Sequence, residues 1–178
     1  MILHKDKDVL VTLEEDGLVK KIVMRPVGSG LRKSVSPAEM VDREVRALKM
    51  TKEVPNVQRF VKRGASPDTF YSQYVPGIHL FEYTEPLPSK FFDCIESSLR
   101  ACRIRGVYRL DRLFNAERDI IVQPDLTPGI IDFGNVLFPS DPRARIPYIN
   151  HILEGYNFIQ IRDIRSKYQE RNIKNKFC

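Results

Sequence analysis

At 178 residues and a net charge of +6, the chain is sized for one domain or two small lobes sharing a core. Its 42% apolar and 29% charged residues exclude intrinsic disorder, and no run approaches the ~20 apolar residues that a membrane span needs. Three cysteines (Cys94, Cys102 and Cys178) without a Cys-x-x-Cys pair argue against a disulfide framework or a zinc site and predict a reduced, cytoplasmic setting. The start, Met1-Ile-Leu-His-Lys-Asp-Lys-Asp8, carries charges where a signal peptide needs its apolar region. A pI of about 9.3 favours an anionic partner such as nucleotide, nucleic acid or an acidic membrane surface, in competition with a plain solvated basic surface. Arg162, Arg165, Lys167, Arg171, Lys174 and Lys176 concentrate this charge in the tail.

Residues 8–15 read as a strand, Asp16-Gly17 as a hairpin turn, and Leu18 to Met24 as the returning strand. Gly28-Ser-Gly30 is a connector. Ser36 then caps a helix whose first position is Pro37, with Glu39 three residues after the cap; the helix is predicted over about 37–52. Val54-Pro-Asn-Val57 breaks it, and strands are expected at Arg59 to Lys62 and Thr69 to Tyr74. Val75-Pro-Gly77 reads as a hinge. A second helix opens at Leu87-Pro88-Ser89, places Phe92, Ile95, Leu99 and Cys102 on one face, and ends at Gly106. Val107 to Arg118 reads as irregular. Asp119-Ile-Ile-Val122 and Gly129-Ile-Ile131 are two short strands, and one or two helices are predicted from Ile146 to about Lys174.

The chemistry concentrates at strand ends. Ile130 and Ile131 run into Asp132-Phe133-Gly134, a pattern that holds a carboxylate at the mouth of a sheet while the glycine turns the chain away. Asp119 stands 13 residues earlier, at the head of the preceding strand. In chain order these parts resemble the protein-kinase-like superfamily, and within it the compact branch of RIO-type kinases, aminoglycoside-type small-molecule kinases and lipopolysaccharide-core sugar kinases. The resemblance covers roughly residues 8–138. It implies an α+β, two-lobed fold with a β-rich N-lobe over 1–75, carrying the helix at about 37–52, and a helical C-lobe over 76–178.

The resemblance also implies roles. Arg43-Glu44-Val-Arg-Ala-Leu48 resembles the helix whose glutamate fixes the phosphate-holding lysine, which points to Glu44. Ile22-Val23-Met24-Arg25 matches the lysine segment with Arg25 in the lysine's place, a swap that changes length and geometry. Lys20 and Lys21 are alternatives, and Lys21 shares a strand face with Val23 and Arg25. Arg25 and Glu44 are therefore expected to pair. No glycine-rich loop precedes the first strong strand. Gly106-Val-Tyr-Arg109-Leu-Asp111 resembles the catalytic loop, with Arg109 for the usual histidine and Asp111 orienting the acceptor hydroxyl. Its plainer reading is an ion pair of Asp111 with Arg109 or Arg112. Asp119 and Asp132 are the implied Mg²⁺ ligands, with Asn115 competing for the place of Asp119. ATP is expected below the hinge at Gln73, Tyr74 and Val75, and the carboxylates of Asp111, Asp119 and Asp132 within roughly 10 Å of one another.

The expected function is thus ATP- and Mg²⁺-dependent phosphoryl transfer. Only ~45 residues follow Gly134 and no Ala-Pro-Glu occurs, which favours a sugar or lipid-linked sugar acceptor over a peptide. The basic tail adds peripheral contact with the anionic inner face of a membrane. The main alternative is a pseudokinase that binds nucleotide without catalysis, suggested by Arg25, Arg109 and the eight-residue step from Asp111 to Asp119. Nucleic-acid binding is disfavoured, because few aromatics are interleaved with the basic residues.

Overall fold

The computed structural model describes residues 1–26, 35–109, 116–134, 136–140 and 161–168. Five antiparallel strands form the first layer: β1 (Ile2–Lys5), β2 (Val9–Leu13), β3 (Leu18–Val23), β4 (Phe60–Arg63) and β5 (Thr69–Gln73), in the order β1-β2-β3-β5-β4. Gly17, at φ +77°, closes the β2–β3 hairpin, as the Asp16-Gly17 signal predicts. The sequence reading has no β1. His4 and Lys5 run into Asp6 without the apolar alternation that marks a strand, and it is pairing with β2 that makes residues 2–5 extended.

Helix α1 (Pro37–Met50) crosses behind the sheet between β3 and β4 in sequence. Ser36 caps it, its hydroxyl accepting the Glu39 N–H at 3.3 Å, and Pro37 fills a position whose N–H has no helical partner. Val41, Val45 and Leu48 form the stripe that buries against the sheet, and Glu44 lies inside that stripe at 3% exposure. A carboxylate on a core-facing stripe needs a partner, and one is found in the cleft.

Past the hinge, β6 (Ile78–His79), β8 (Ile120–Val122) and β9 (Pro128–Ile130) form a three-stranded antiparallel sheet. Helix α2 (Ser89–Ile104) packs Phe91, Phe92, Ile95, Leu99 and Cys102 into one continuous core with Ile120, Ile130 and the α1 residues. Each such fully buried side chain stabilises by roughly 1.5–3 kcal/mol. Gly106, at φ +75°, ends α2 with its N–H on the Arg103 carbonyl at 2.8 Å. The segment read as irregular contains β7 (Tyr108–Arg109), paired with β10 (Val136–Leu137), and the single turn α3 (Ala116–Asp119). Of the predicted C-terminal helix, residues 161–168 are described and helical; buried Tyr168 donates its hydroxyl to the carbonyls of Leu80 and Tyr83. No helix among the described residues is long and apolar enough to cross a membrane.

The hinge tolerates no side chain at Gly77. Its φ is +134°, and an added Cβ would meet the Val122 carbonyl oxygen at 2.1 Å, where β6 lies on β8. Gly77→Ala is expected to destabilise by about 2–4 kcal/mol, combining backbone strain with a clash that the β6–β8 pairing cannot relieve. A denaturant melt checks this.

Candidate active site

Between the five-stranded sheet and the β6-β8-β9 sheet lies a cleft of about 1500 Å³. Its roof is one face of the upper sheet. The register aligns His4, Val11, Lys21 and Phe70 in a row across β1, β2, β3 and β5, and alternation adds Val9, Val19 and Ser72. Tyr74, Val75 and Gly77 close the hinge side, and Ile121 and Ile131 make an apolar floor. One end is therefore a greasy slot beside exposed backbone, the setting a flat heteroaromatic ring requires.

The other end is charged. Lys21 Nζ lies 3.0 Å from Glu44 Oε1, 2.8 Å from Glu44 Oε2 and 2.9 Å from Asp132 Oδ1. Glu44 Oε1 also accepts the Phe133 N–H at 3.2 Å, so helix α1, strand β3 and the Asp132-Phe133-Gly134 turn are joined through one carboxylate. Burial alone would lower the Lys21 ammonium; the charges of Asp132 and Glu44 outweigh it and hold Lys21 above its usual value. Burial pushes the Glu44 carboxyl up. The Lys21 charge opposes this and the Asp132 charge reinforces it, leaving the group above the usual carboxylate range.

Asp132 has φ +59°, a left-handed conformation that aspartate tolerates by bonding locally: its Oδ1 accepts the Gly134 N–H at 3.1 Å. This turn swings the side chain into the cleft mouth at 52% exposure. Asp119 ends α3 and lines the same cleft, its carbonyl accepting the Ile131 N–H at 2.9 Å, so the two aspartates flank one β8–β9 rung. Glu44, Asp132 and Asp119 all line this cleft, with Asp132 at its mouth beside Lys21. Carboxylate oxygens are hard donors of the kind that suit Mg²⁺, which is held by one or two carboxylates and shared with substrate phosphates. Among the described residues no group of three or more His, Cys, Asp or Glu could hold a metal unaided.

The lysine position differs from the sequence reading. Strand β3 ends at Val23, Arg25 lies beyond it and is exposed, and the partner of Glu44 is Lys21. The motif match set the cation four residues too late: Lys21 inside β3 meets Glu44, whereas Arg25 lies past the end of the strand. Lys21 had a sequence signal of its own: it is the one charged residue between Val19 and Val23 on the face that must be buried. Gln73 is likewise outside the cleft lining, its N–H on the Arg59 carbonyl and its carbonyl accepting from Gln58 Nε2. Tyr74, Val75, Glu44, Asp119 and Asp132 are brought together. Asp111 and Asn115 lie outside the described residues.

No protein-family model matches the sequence, and no curated protein matches it. Solved structures do match. A Rio2 kinase–ADP/Mg²⁺–phosphoaspartate complex from Chaetomium thermophilum superposes with TM-score 0.58 at 18% identity, covering 86% of this chain and 52% of that one. A second Rio2 kinase structure from the same organism gives 0.57 at 20% identity, covering 80% and 50%. The fold is that of the protein-kinase-like superfamily. The chain spans about half the length of the Rio2 chains that it matches.

Proposed function

We propose that the cleft binds ATP with Mg²⁺ and transfers its terminal phosphoryl group. The observation that carries this reading is the Lys21–Glu44–Asp132 constellation, set opposite an apolar slot at the hinge. Val11, Val19 and Ile121 would sandwich the base, with the backbone of Tyr74 and Val75 at its edge. Lys21, oriented by Glu44, would neutralise the α- and β-phosphates, and Asp119 and Asp132 would hold Mg²⁺. Bound there, the metal would supply charge neutralisation to the nucleotide phosphates. Rate enhancement would come from positioning and preorganised charge rather than covalent chemistry. Asp111, if it takes the catalytic-loop position, would orient the acceptor hydroxyl.

The acceptor reading remains a sugar or lipid-linked sugar hydroxyl. Contact with an anionic membrane gains little support from the described tail: Arg165 pairs with Asp93 at 2.9 Å and Lys167 with Glu117 at 2.6 Å, so these cations are already engaged. The pseudokinase alternative loses one support, since a lysine rather than Arg25 meets Glu44. A second acceptor is suggested by the exposed carboxylate of Asp132 and by the phosphoaspartate of the Chaetomium complex. In that reaction a carboxylate oxygen takes the γ-phosphoryl group and ADP leaves. The test is ADP release from ATP with Mg²⁺, with and without candidate sugars. Sugar-stimulated release supports the hydroxyl acceptor, and a hydroxylamine-labile phosphate on the protein supports the carboxylate. Neither product, with nucleotide bound, leaves the pseudokinase reading in place.

A further inference from the structure

The turn over the charged end of the cleft is filled by the chain's own anion. Strands β1 and β2 meet at residues 6–8, past the His4–Val11–Lys21 row and level with the Val9–Val23 pair. The opposite end of the sheet, at the Leu18–Gln73 pair, is the end that leads to the hinge. A nucleotide whose base lies at the hinge and whose phosphates reach Lys21 therefore extends its tail toward this turn. Leu3, His4 and Asp6 all line the cleft there.

Two backbone donors converge in the turn. The N–H groups of Asp8 and Val9 both point at Asp6 Oδ1, each at 2.7 Å, and the Asp6 N–H closes the turn on the Val9 carbonyl at 3.0 Å. Paired amides of this kind make an anion-binding concavity, and phosphate oxygens use the same chemistry. Here the occupant is a carboxylate from the same chain, held below the usual range chiefly by those two N–H groups. His4 Nε2 lies 3.3 Å from the other carboxylate oxygen. No glycine occurs in the turn to let a phosphate approach the backbone instead.

We propose that Asp6 weakens the hold of the cleft on the terminal phosphate of a bound nucleotide, occupying backbone donors that this phosphate would otherwise use and placing a negative charge beside it. This rests on the nucleotide-binding reading above. Its prediction is that the protein gains little affinity from the third phosphate of ATP over ADP.

The test is calorimetric titration of the full chain with adenosine, ADP and ATP in Mg²⁺, for wild type, Asp6→Asn and Asp6→Gly. Asn keeps the acceptor and removes the charge; Gly removes both. The ATP-to-ADP affinity ratio should rise about 3–10-fold in Asp6→Asn and further in Asp6→Gly, with adenosine unchanged. If Asp6→Gly fails to fold, Asp6→Asn alone decides. Nucleotide binding with the same ATP-to-ADP ratio in wild type and Asp6→Asn overturns this inference and leaves the nucleotide reading intact. No binding of any of the three ligands by wild type or variant overturns both.

Discussion

Lys21→Met should destabilise the protein by about 2–4 kcal/mol and abolish tight nucleotide binding. The stability loss comes from Glu44, which would be left as a buried carboxylate without its cation. The expected cost lies below that of breaking a fully buried pair, because the Lys21 side chain keeps 13% exposure. Its pH dependence has a definite sign. Glu44 is raised above its unfolded value, so the folded state holds a proton that the unfolded state releases. Without Lys21 that shift grows. The deficit relative to wild type should therefore be small below about pH 4.3, the unfolded glutamate value, and widen as pH rises through the folded value. Melts at acidic and at mildly alkaline pH check this, and a pH-independent deficit would show that Glu44 is not the stranded charge. Adding Glu44→Gln should recover most of the stability, since an amide oxygen can still accept the Phe133 N–H, but none of the nucleotide affinity. Arg25→Met, exposed beyond β3, should change stability by less than about 0.5 kcal/mol.

Asp132→Asn should leave the fold close to wild type and remove the benefit of Mg²⁺. Asparagine tolerates the left-handed backbone at this position and can still accept the Gly134 N–H, so the turn survives. What is lost is one formal charge beside Lys21 and, on the proposed reading, one hard metal ligand. Phosphoryl transfer should fall on the order of 10²–10³-fold, the scale of a metal's contribution to stabilising transition-state charge. Nucleotide affinity measured without Mg²⁺ should hold or improve, because a carboxylate facing the phosphates is gone. Asp119→Asn should act in the same direction, and the double variant should lose less than the two singles combined, since both are asked to serve the same ions. Titration with and without Mg²⁺ reads out each variant.

The sequence was most legible where local rules and the final packing agree. The Asp16-Gly17 hairpin, the Ser36–Pro37–Glu39 cap, the Phe92–Ile95–Leu99–Cys102 face and the Gly106 stop are each decided within a few residues, and each stands in the structure. The placement of Asp119 and Asp132 beside strands was legible for a related reason: short runs of isoleucine and valine fix the strands that these residues flank. What local rules missed depended on partners distant in the chain. Strand β1 exists because β2 is there to pair with it. The choice among Lys20, Lys21 and Arg25 depended on which residue meets a helix that begins at Pro37. Alternation put Lys21 on the correct face, but the order of residue types favoured Arg25 and says nothing of which cation reaches Glu44.

On the proposed reading Lys21, held by Glu44, receives the phosphates of a nucleotide bound below the hinge. This role is tested most directly by calorimetric titration of ADP with Mg²⁺ into wild type and into Lys21→Met/Glu44→Gln, the variant expected to keep its fold while losing the cation. Saturable binding by wild type, weakened at least about tenfold in the double variant, is the predicted result. Equal affinity in the two proteins, or no heat from folded wild type at millimolar nucleotide, would contradict it.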